Sequence, residues 1–245
     1  MAAHAALAAL ILAAVFPFAG ARRRDRLILW WSARLLRILG TRLVLEGEPP
    51  RAAAVIVANH VAWLDVFVVL SVVPCRFIAK SEIRDWPLAG WIAARSGTIF
   101  IRRGLRRDIA SINARVHDLL VAGESVGLFP EGTTGEGGAL LKFHSSLFEP
   151  AVVNAARVHP AAIRYLRPDG TPCEAAIYGE RTFLQSLARI IREPAMRAEL
   201  RFASPLAAGG THRRELARSA QASVATMLAA DNPPERAAGR RVAAR

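Results

Sequence analysis

Lysine is almost missing from this chain: among 245 residues only Lys80 and Lys142 carry an ε-ammonium group. Cysteine is equally scarce, and its two residues, Cys75 and Cys173, make no CxxC or zinc-type spacing. That scarcity excludes a disulfide-stapled fold and a cysteine–zinc module, and both residues read as free thiols in a reducing compartment. No uncharged apolar run reaches the ~20 residues that a full membrane helix needs. There is also no internal repeat and no aromatic-basic module of the kind that binds nucleic acid.

What is present is arginine. The formal net charge is +13, carried almost wholly by guanidinium groups. Such a balance favours phospholipid headgroups, nucleic acid or a phosphorylated substrate as partner, although an Ala/Arg-rich composition accounts for much of it. Hydrophobic residues make up 53%, high for a soluble protein and low for a polytopic membrane protein. The apolar stretch "AALAALILAAVFPFAG" (5–20) is followed at once by "RRRDR" (22–26), the reverse of the charge order in a secretory signal. As a helix it spans about 25 Å. It reads as a short span with its arginines on the cytoplasmic side, or as a helix dipping into one leaflet. Residues 26–45 then read as one amphipathic helix. Arg26, Arg34 and Arg37 share an arc of about 80°, while Leu27, Ile28, Trp31, Leu35, Ile38 and Leu39 lie elsewhere. Such a helix suits the headgroup region. Residues 1–45 are therefore expected to be membrane-anchoring helices. The Pro-broken, basic segment 231–245 is expected to be a disordered tail.

Between them, residues 46–230 alternate short apolar runs with helical periodicities. Candidate strands are 54–59, 77–79, 98–101, 125–129, 158–163, 173–178 and 198–202. Helices are expected over 63–72 and 108–122, the second with Ile109, Ile112, Val116, Leu119 and Leu120 at helical spacing, Asp108 as its cap and Gly123 at its end. This alternation predicts an α/β fold, a sheet covered by helices.

"GESVG" (123–127) matches the G-x-S-x-G nucleophile elbow in letters only. The elbow needs a strand before its serine and a helix after it, and here the order is reversed. "VANHVAWLDVFVV" (57–69) carries a more consequential pattern. If 54–59 is a strand, His60 emerges at its carboxyl end, where open α/β sheets bind ligands. With His60 in the turn before a helix and Asp65 in its first turn, Asp65 accepts the Nδ1–H of His60. Nε2 is then free to take a proton from a hydroxyl. The same residues also read as a structural histidine beside an Asp helix cap.

Together with "GTIFIRRG" (97–104) and "LFPEGTTGEGG" (128–138), this stretch resembles the 1-acylglycerol-3-phosphate (glycerolipid) acyltransferase family. The NHxxxxD block is Asn59, His60 and Asp65. A Gly-x-x-Phe-Ile-x-Arg block follows in Gly97, Phe100, Ile101 and Arg103. The FPEGT block is Phe129 to Thr133, and an apolar strand with Pro160 stands where a fourth block is expected. The "AKSEI" segment (79–83) is a further family-like feature. The resemblance covers roughly residues 50–165.

It implies a central mixed sheet covered by helices, and transfer of an acyl group from coenzyme A or acyl carrier protein to a free hydroxyl of a lysolipid. His60 and Asp65 would be catalytic. Asn59, Lys80, Gly97, Arg103, Glu131, Gly132 and Thr133 would bind substrate, with Arg103 on an acidic headgroup and Glu131 on acceptor hydroxyls. No metal or cofactor beyond the acyl carrier co-substrate is expected, and no nucleic acid. The implied location is the inner (cytoplasmic) membrane, with the catalytic domain facing the cytoplasm and the bilayer as partner. One departure stands out: phosphate-acceptor members commonly continue the FPEGT block with Arg, whereas Thr134 follows here, and a hydroxyl cannot reproduce a guanidinium's bidentate grip. Thr or Ser at this place resembles the lyso-ornithine lipid O-acyltransferase branch, as does "KFHSSLFEPA" (142–151). Arg102, Arg103, Arg106 and Arg107 nonetheless offer phosphate contacts. Lysophosphatidic acid is therefore the slightly favoured acceptor and lyso-ornithine lipid a close second.

Overall fold

The computed structural model describes residues 2–85, 89–101, 106–135, 137 and 139–230, the side chains of 2, 5, 89 and 106–109 excepted. Arg103, the neighbouring Arg102 and the tail 231–245 lie outside the described residues, as do the side chains of Arg106, Arg107 and Asp108.

Eight strands form one sheet: β1 (Thr41–Glu46), β2 (Val55–Ala58), β3 (Cys75–Lys80), β4 (Ile99–Ile101), β5 (Ser125–Leu128), β6 (Arg157–Leu166), β7 (Met196–Phe202) and β8 (Leu206–Ala207). Their order is β1-β7-β6-β2-β5-β3-β4, with β8 beside the start of β6. From β6 to β4 every pairing is parallel, whereas β7 runs antiparallel to β6 and carries β1 parallel to itself. The sheet is thus mixed, as expected. Its central strand β2, "VIVA", is buried at every position, which is why it reads as an unbroken apolar run rather than an alternation.

Alternate residues of that strand feed two cores. Ile56 and Ala58 face one layer with Phe77, Ile163, Tyr165 and Leu200. This layer is closed by α2 (Ala21–Ile38), α3 (Asp65–Leu70) and α7 (Phe183–Arg192). Val55 and Val57 face the opposite layer, packed by α6 (Glu149–Val153) and α8 (Arg213–Ala229) through Ala151, Leu216, Ala220 and Val224. On that side α5 (Arg106–Val121) seats Ile112, Val116 and Leu119 over Val126. Helix α5 ends where its sequence indicates, at Gly123 with φ 81°. Ser125 then lies in β5, its Oγ accepting from the Ala54 N–H at 3.2 Å, so "GESVG" is a helix stop and a strand start.

Three expectations change. The helix read over 26–45 stops at Ile38. Gly40, at φ 66°, turns the chain, and residues 41–46 pair with β7, so a domain boundary between 45 and 46 falls inside a strand. The strand read over 173–178 is a turn: Ala176 N–H donates to Cys173 O and Ile177 N–H to Glu174 O, while Cys173, Ala175 and Ala176 still bury their side chains. Residues 5–20 are not one helix. Helix α1 (Ala2–Leu10) gives way to a π turn (Ile11–Val15) and a 3₁₀ turn (Phe16–Phe18) containing Pro17, before Gly20 and α2. Among the described residues no helix is long and apolar enough to cross a membrane. The remaining helix, α4 (Ala89–Arg95), leads into β4 through Gly97.

Candidate active site

Strands β2 and β5 are parallel neighbours, so their carboxyl ends reach the same edge of the sheet and release Asn59-His60 beside Phe129-Pro130-Glu131. Asp65 begins α3, four residues after Val61, and the turn 60–65 folds back on its carboxylate. Oδ2 accepts three hydrogen bonds, from His60 Nδ1 at 2.9 Å, Val61 N–H at 2.7 Å and Ala62 N–H at 2.9 Å. Oδ1 accepts one, from the Tyr165 hydroxyl at 2.7 Å. A carboxylate that is 0% exposed would be prohibitively costly alone, and these four donors compensate for the lost water. With Nδ1 donating to a carboxylate, Nε2 is the basic nitrogen of the neutral ring. Among the described residues Nε2 has no protein hydrogen bond, and the His60 side chain is 19% exposed.

The backbone of His60 is held from both sides. Its N–H donates to Glu131 Oε1 at 2.7 Å, and its carbonyl accepts from Gly135 N–H at 2.7 Å. The ring lies flat on Phe129, centroids 4.0 Å apart and 8° from parallel, and Phe129 stacks in turn on Phe77 at 5.1 Å. Gly132 completes the FPEGT turn at φ 71°, a conformation that L side chains rarely adopt, and donates its N–H to Phe129 O. The NHxxxxD and FPEGT blocks are therefore two halves of one hydrogen-bonded assembly.

Three residues expected to touch substrate make defined contacts within the protein. Glu131 is 5% exposed and spends both oxygens on backbone, Oε2 accepting from Leu141 N–H at 2.9 Å. It braces the His60 backbone. Burial raises its carboxyl above the ordinary range, and the two backbone N–H groups partly offset that. Asn59 turns its side chain onto β6, its Nδ2 donating to Ile163 O at 3.0 Å and its Oδ1 accepting from Ile163 N–H at 2.8 Å. It locks the His60 turn to the neighbouring strand. Gly97 is likewise structural, with φ 87° and an added Cβ meeting the Arg76 Cδ at 2.8 Å. Thr133 and Thr134 are half-buried, directly before the Gly135 that grips His60. Lys80 is half-buried at the carboxyl end of β3, the strand parallel to β5. Arg103 lies outside the described residues.

Sequence reading missed Tyr165 and the stacking of Phe129. One signal for Tyr165 was its place in the apolar strand "VHPAAIRYL": a phenol buried there needs an acceptor. An apolar cavity adjoins the site, walled by Leu12, Phe16, Ile28, Phe67, Phe77 and Ile92. Phe77 lines it and also stacks on Phe129, so an aromatic path joins the cavity to His60.

A histidine–carboxylate pair at the mouth of a mixed sheet, its Nε2 without a protein hydrogen bond among the described residues, is an arrangement that can take a proton from a hydroxyl. Comparison with known proteins makes the class specific. Residues 43–164 match the acyltransferase family. A lyso-ornithine lipid O-acyltransferase from Pseudomonas aeruginosa is 40% identical over 84% of this chain and 79% of its own length. A 1-acyl-sn-glycerol-3-phosphate acyltransferase from Neisseria meningitidis serogroup B is 36% identical over 69% of this chain and 67% of its own. The crystal structure of the 1-acyl-sn-glycerophosphate acyltransferase PlsC from Thermotoga maritima shares the fold, with a TM-score of 0.68 at 20% identity over 92% of each chain. The chain belongs to the acyltransferase family, and it is an acyltransferase.

Proposed function

We propose that this enzyme acylates the free hydroxyl of a lysolipid at the membrane surface, with His60 as the base. The 2.9 Å bond from His60 to the buried Asp65 carries the reading. As the acceptor oxygen attacks the thioester carbonyl, its proton passes to His60 Nε2. The resulting imidazolium is stabilised by Asp65. A C–O bond forms, the C–S bond breaks, and the imidazolium returns its proton to the departing thiolate of coenzyme A or acyl carrier protein. A thiolate leaves readily, so the residues present suffice without a covalent enzyme intermediate.

The acyl chain enters the apolar cavity beside Phe77, and Lys80, Arg103 and the Gly132–Thr133 turn bind the acceptor headgroup. Thr134 follows the FPEGT turn where phosphate-acceptor enzymes commonly carry Arg, and the relative that is 40% identical is named for lyso-ornithine lipid. These two observations favour lyso-ornithine lipid as acceptor, reversing the slight preference that the arginines near 103 gave to lysophosphatidic acid. Exposed Leu10, Trp30 and the 88%-exposed Phe18, beside Arg22, Arg23, Arg26 and Arg34, support docking into one leaflet of the cytoplasmic membrane. The deciding experiment offers lyso-ornithine lipid and lysophosphatidic acid side by side with labelled acyl-CoA and acyl-ACP. Faster labelling of lyso-ornithine lipid is expected, and its loss in His60→Ala. Preferred labelling of lysophosphatidic acid would overturn the acceptor, and normal turnover by folded His60→Ala would overturn the base.

A further inference from the structure

Asp65 has two oxygens, and only one of them is spent on His60. The other meets a group that lies 100 residues away in sequence, outside every motif that pointed to the site. Tyr165 comes from β6, the strand to which Asn59 anchors the His60 turn, and its side chain points into the same layer as Ile163 and α3. Its hydroxyl donates to Asp65 Oδ1 at 2.7 Å, both groups being buried. Among the described residues no other side chain reaches Oδ1. Among the described residues, the titratable groups hydrogen-bonded to the pair are Glu131, through the His60 backbone N–H, and Tyr165 itself.

From this geometry we infer that Tyr165 is a positioning residue of the acyl transfer, setting through Asp65 how strongly His60 holds a proton. The inference rests on His60 acting as the base. An O–H dipole aimed at a carboxylate withdraws part of its negative charge and fixes the rotation of its plane. Less of that charge is then felt at the imidazole. The hydroxyl also keeps Oδ2 pointed at Nδ1, since the carboxylate cannot rotate without losing a charge-assisted bond. Burial, together with the neighbouring Asp65, raises the phenol well above its ordinary value, so Tyr165 remains a donor throughout the working pH range. The chain has only one other tyrosine, Tyr178, which makes the donor accessible to chemical tuning.

The test uses the full chain and whichever lysolipid the wild type acylates. In Tyr165→Phe, kcat is expected to fall roughly ten-fold with KM for both substrates within about two-fold. The acidic limb of the pH–rate profile is expected to move up by roughly half a unit, because Asp65 then acts on His60 undiluted. Trifluorotyrosine, incorporated in a Tyr178→Phe background, strengthens the donor without deleting it, so the limb should move in the opposite direction. This second measurement decides the matter even if Tyr165→Phe folds poorly, and a purely structural hydroxyl would shift neither profile. Unchanged limbs in both proteins, with His60→Ala inactive, would overturn the role of Tyr165 alone. Full turnover by His60→Ala would instead remove the base on which it rests.

Discussion

Replacing Asp65 by asparagine separates the charge of this carboxylate from its hydrogen bonds. In the wild type Oδ2 accepts from His60, Val61 and Ala62, and Oδ1 from Tyr165. If the single amide oxygen of the variant takes the place of Oδ2, all three of those bonds survive. The amide NH₂ then faces Tyr165, whose hydroxyl rotates and accepts. Fold and tautomer are therefore expected to be retained, unlike in Asp65→Ala, which strands the buried Ala62 N–H at about 1–3 kcal/mol and also the half-buried Val61 N–H. What Asp65→Asn loses is the attraction between carboxylate and imidazolium. At about 4 Å and an effective dielectric near 20 that attraction is about 4 kcal/mol for a fully formed imidazolium. A transition state with the proton half transferred feels about half of it. The expected fall in kcat is thus between about 30-fold and about 1,000-fold. Single-turnover acyl transfer to a lysolipid, with circular dichroism and thermal melting as controls, measures it. A folded Asp65→Asn enzyme within about three-fold of wild type would refute the reasoning, because the charge of Asp65 would then be catalytically idle.

Glu131→Gln keeps one acceptor oxygen for two backbone N–H groups, so either His60 or Leu141 loses its partner. A loss of about 1–3 kcal/mol in stability is expected, with reduced kcat, read by urea unfolding and turnover. Because burial raises the Glu131 carboxyl, the folded chain holds that proton longer than the unfolded chain does. Stability contributed there declines as pH rises from the ordinary value of 4.5 through the raised one, and Glu131→Gln should remove that slope. His159 has the opposite sign: burial lowers it, so its contribution is complete above 6.5 and is lost as pH falls below that value. His159→Leu should narrow the gap between urea midpoints at pH 7 and pH 5, and an unchanged gap would contradict this. Filling the apolar cavity with Ile92→Trp should shift acyl preference toward shorter chains, measured by competition between acyl donors; unaltered chain preference would place the acyl group elsewhere.

Most of the sheet was legible because parallel, doubly buried strands such as 55–58 and 125–128 are short apolar runs bounded by turn residues. The His60–Asp65 pairing was legible because its spacing places one residue before a helix and the other at its start. Two of the errors share a cause in long-range pairing, whereas residues 5–20 are broken locally by the turns around Pro17. Residues 41–46 continue a helical apolar periodicity, and only the partner β7, far along the chain, makes them a strand. Residues 173–178 have strand composition, yet their contact with β6 stops at a bridge from Pro172 to Leu166 and a bond from Cys173 N–H to Tyr165 O, and they bury the same side chains from a turn. Glu131 and Asn59 stand beside the His60 turn, but their type could not say whether they face ligand or backbone. Their partners, the N–H groups of His60 and Leu141 and the peptide of Ile163, carry no side-chain signature at all.

Strand β1 has β7 as its neighbour and forms one border of the sheet. Its partner begins at Met196, roughly 150 residues later, so during synthesis the oldest strand waits longest. At ribosomal speeds of about 5–20 residues per second that delay is on the order of ten seconds or more. Throughout it "TRLVLE" offers bare peptide groups directly behind an arginine-studded helix. A nascent chain whose leading helices are already occupied, by lipid or by a chaperone, would be sheltered during this interval. Deleting residues 1–40 should accordingly impair the yield of folded protein made from the ribosome more than the stability of protein already folded.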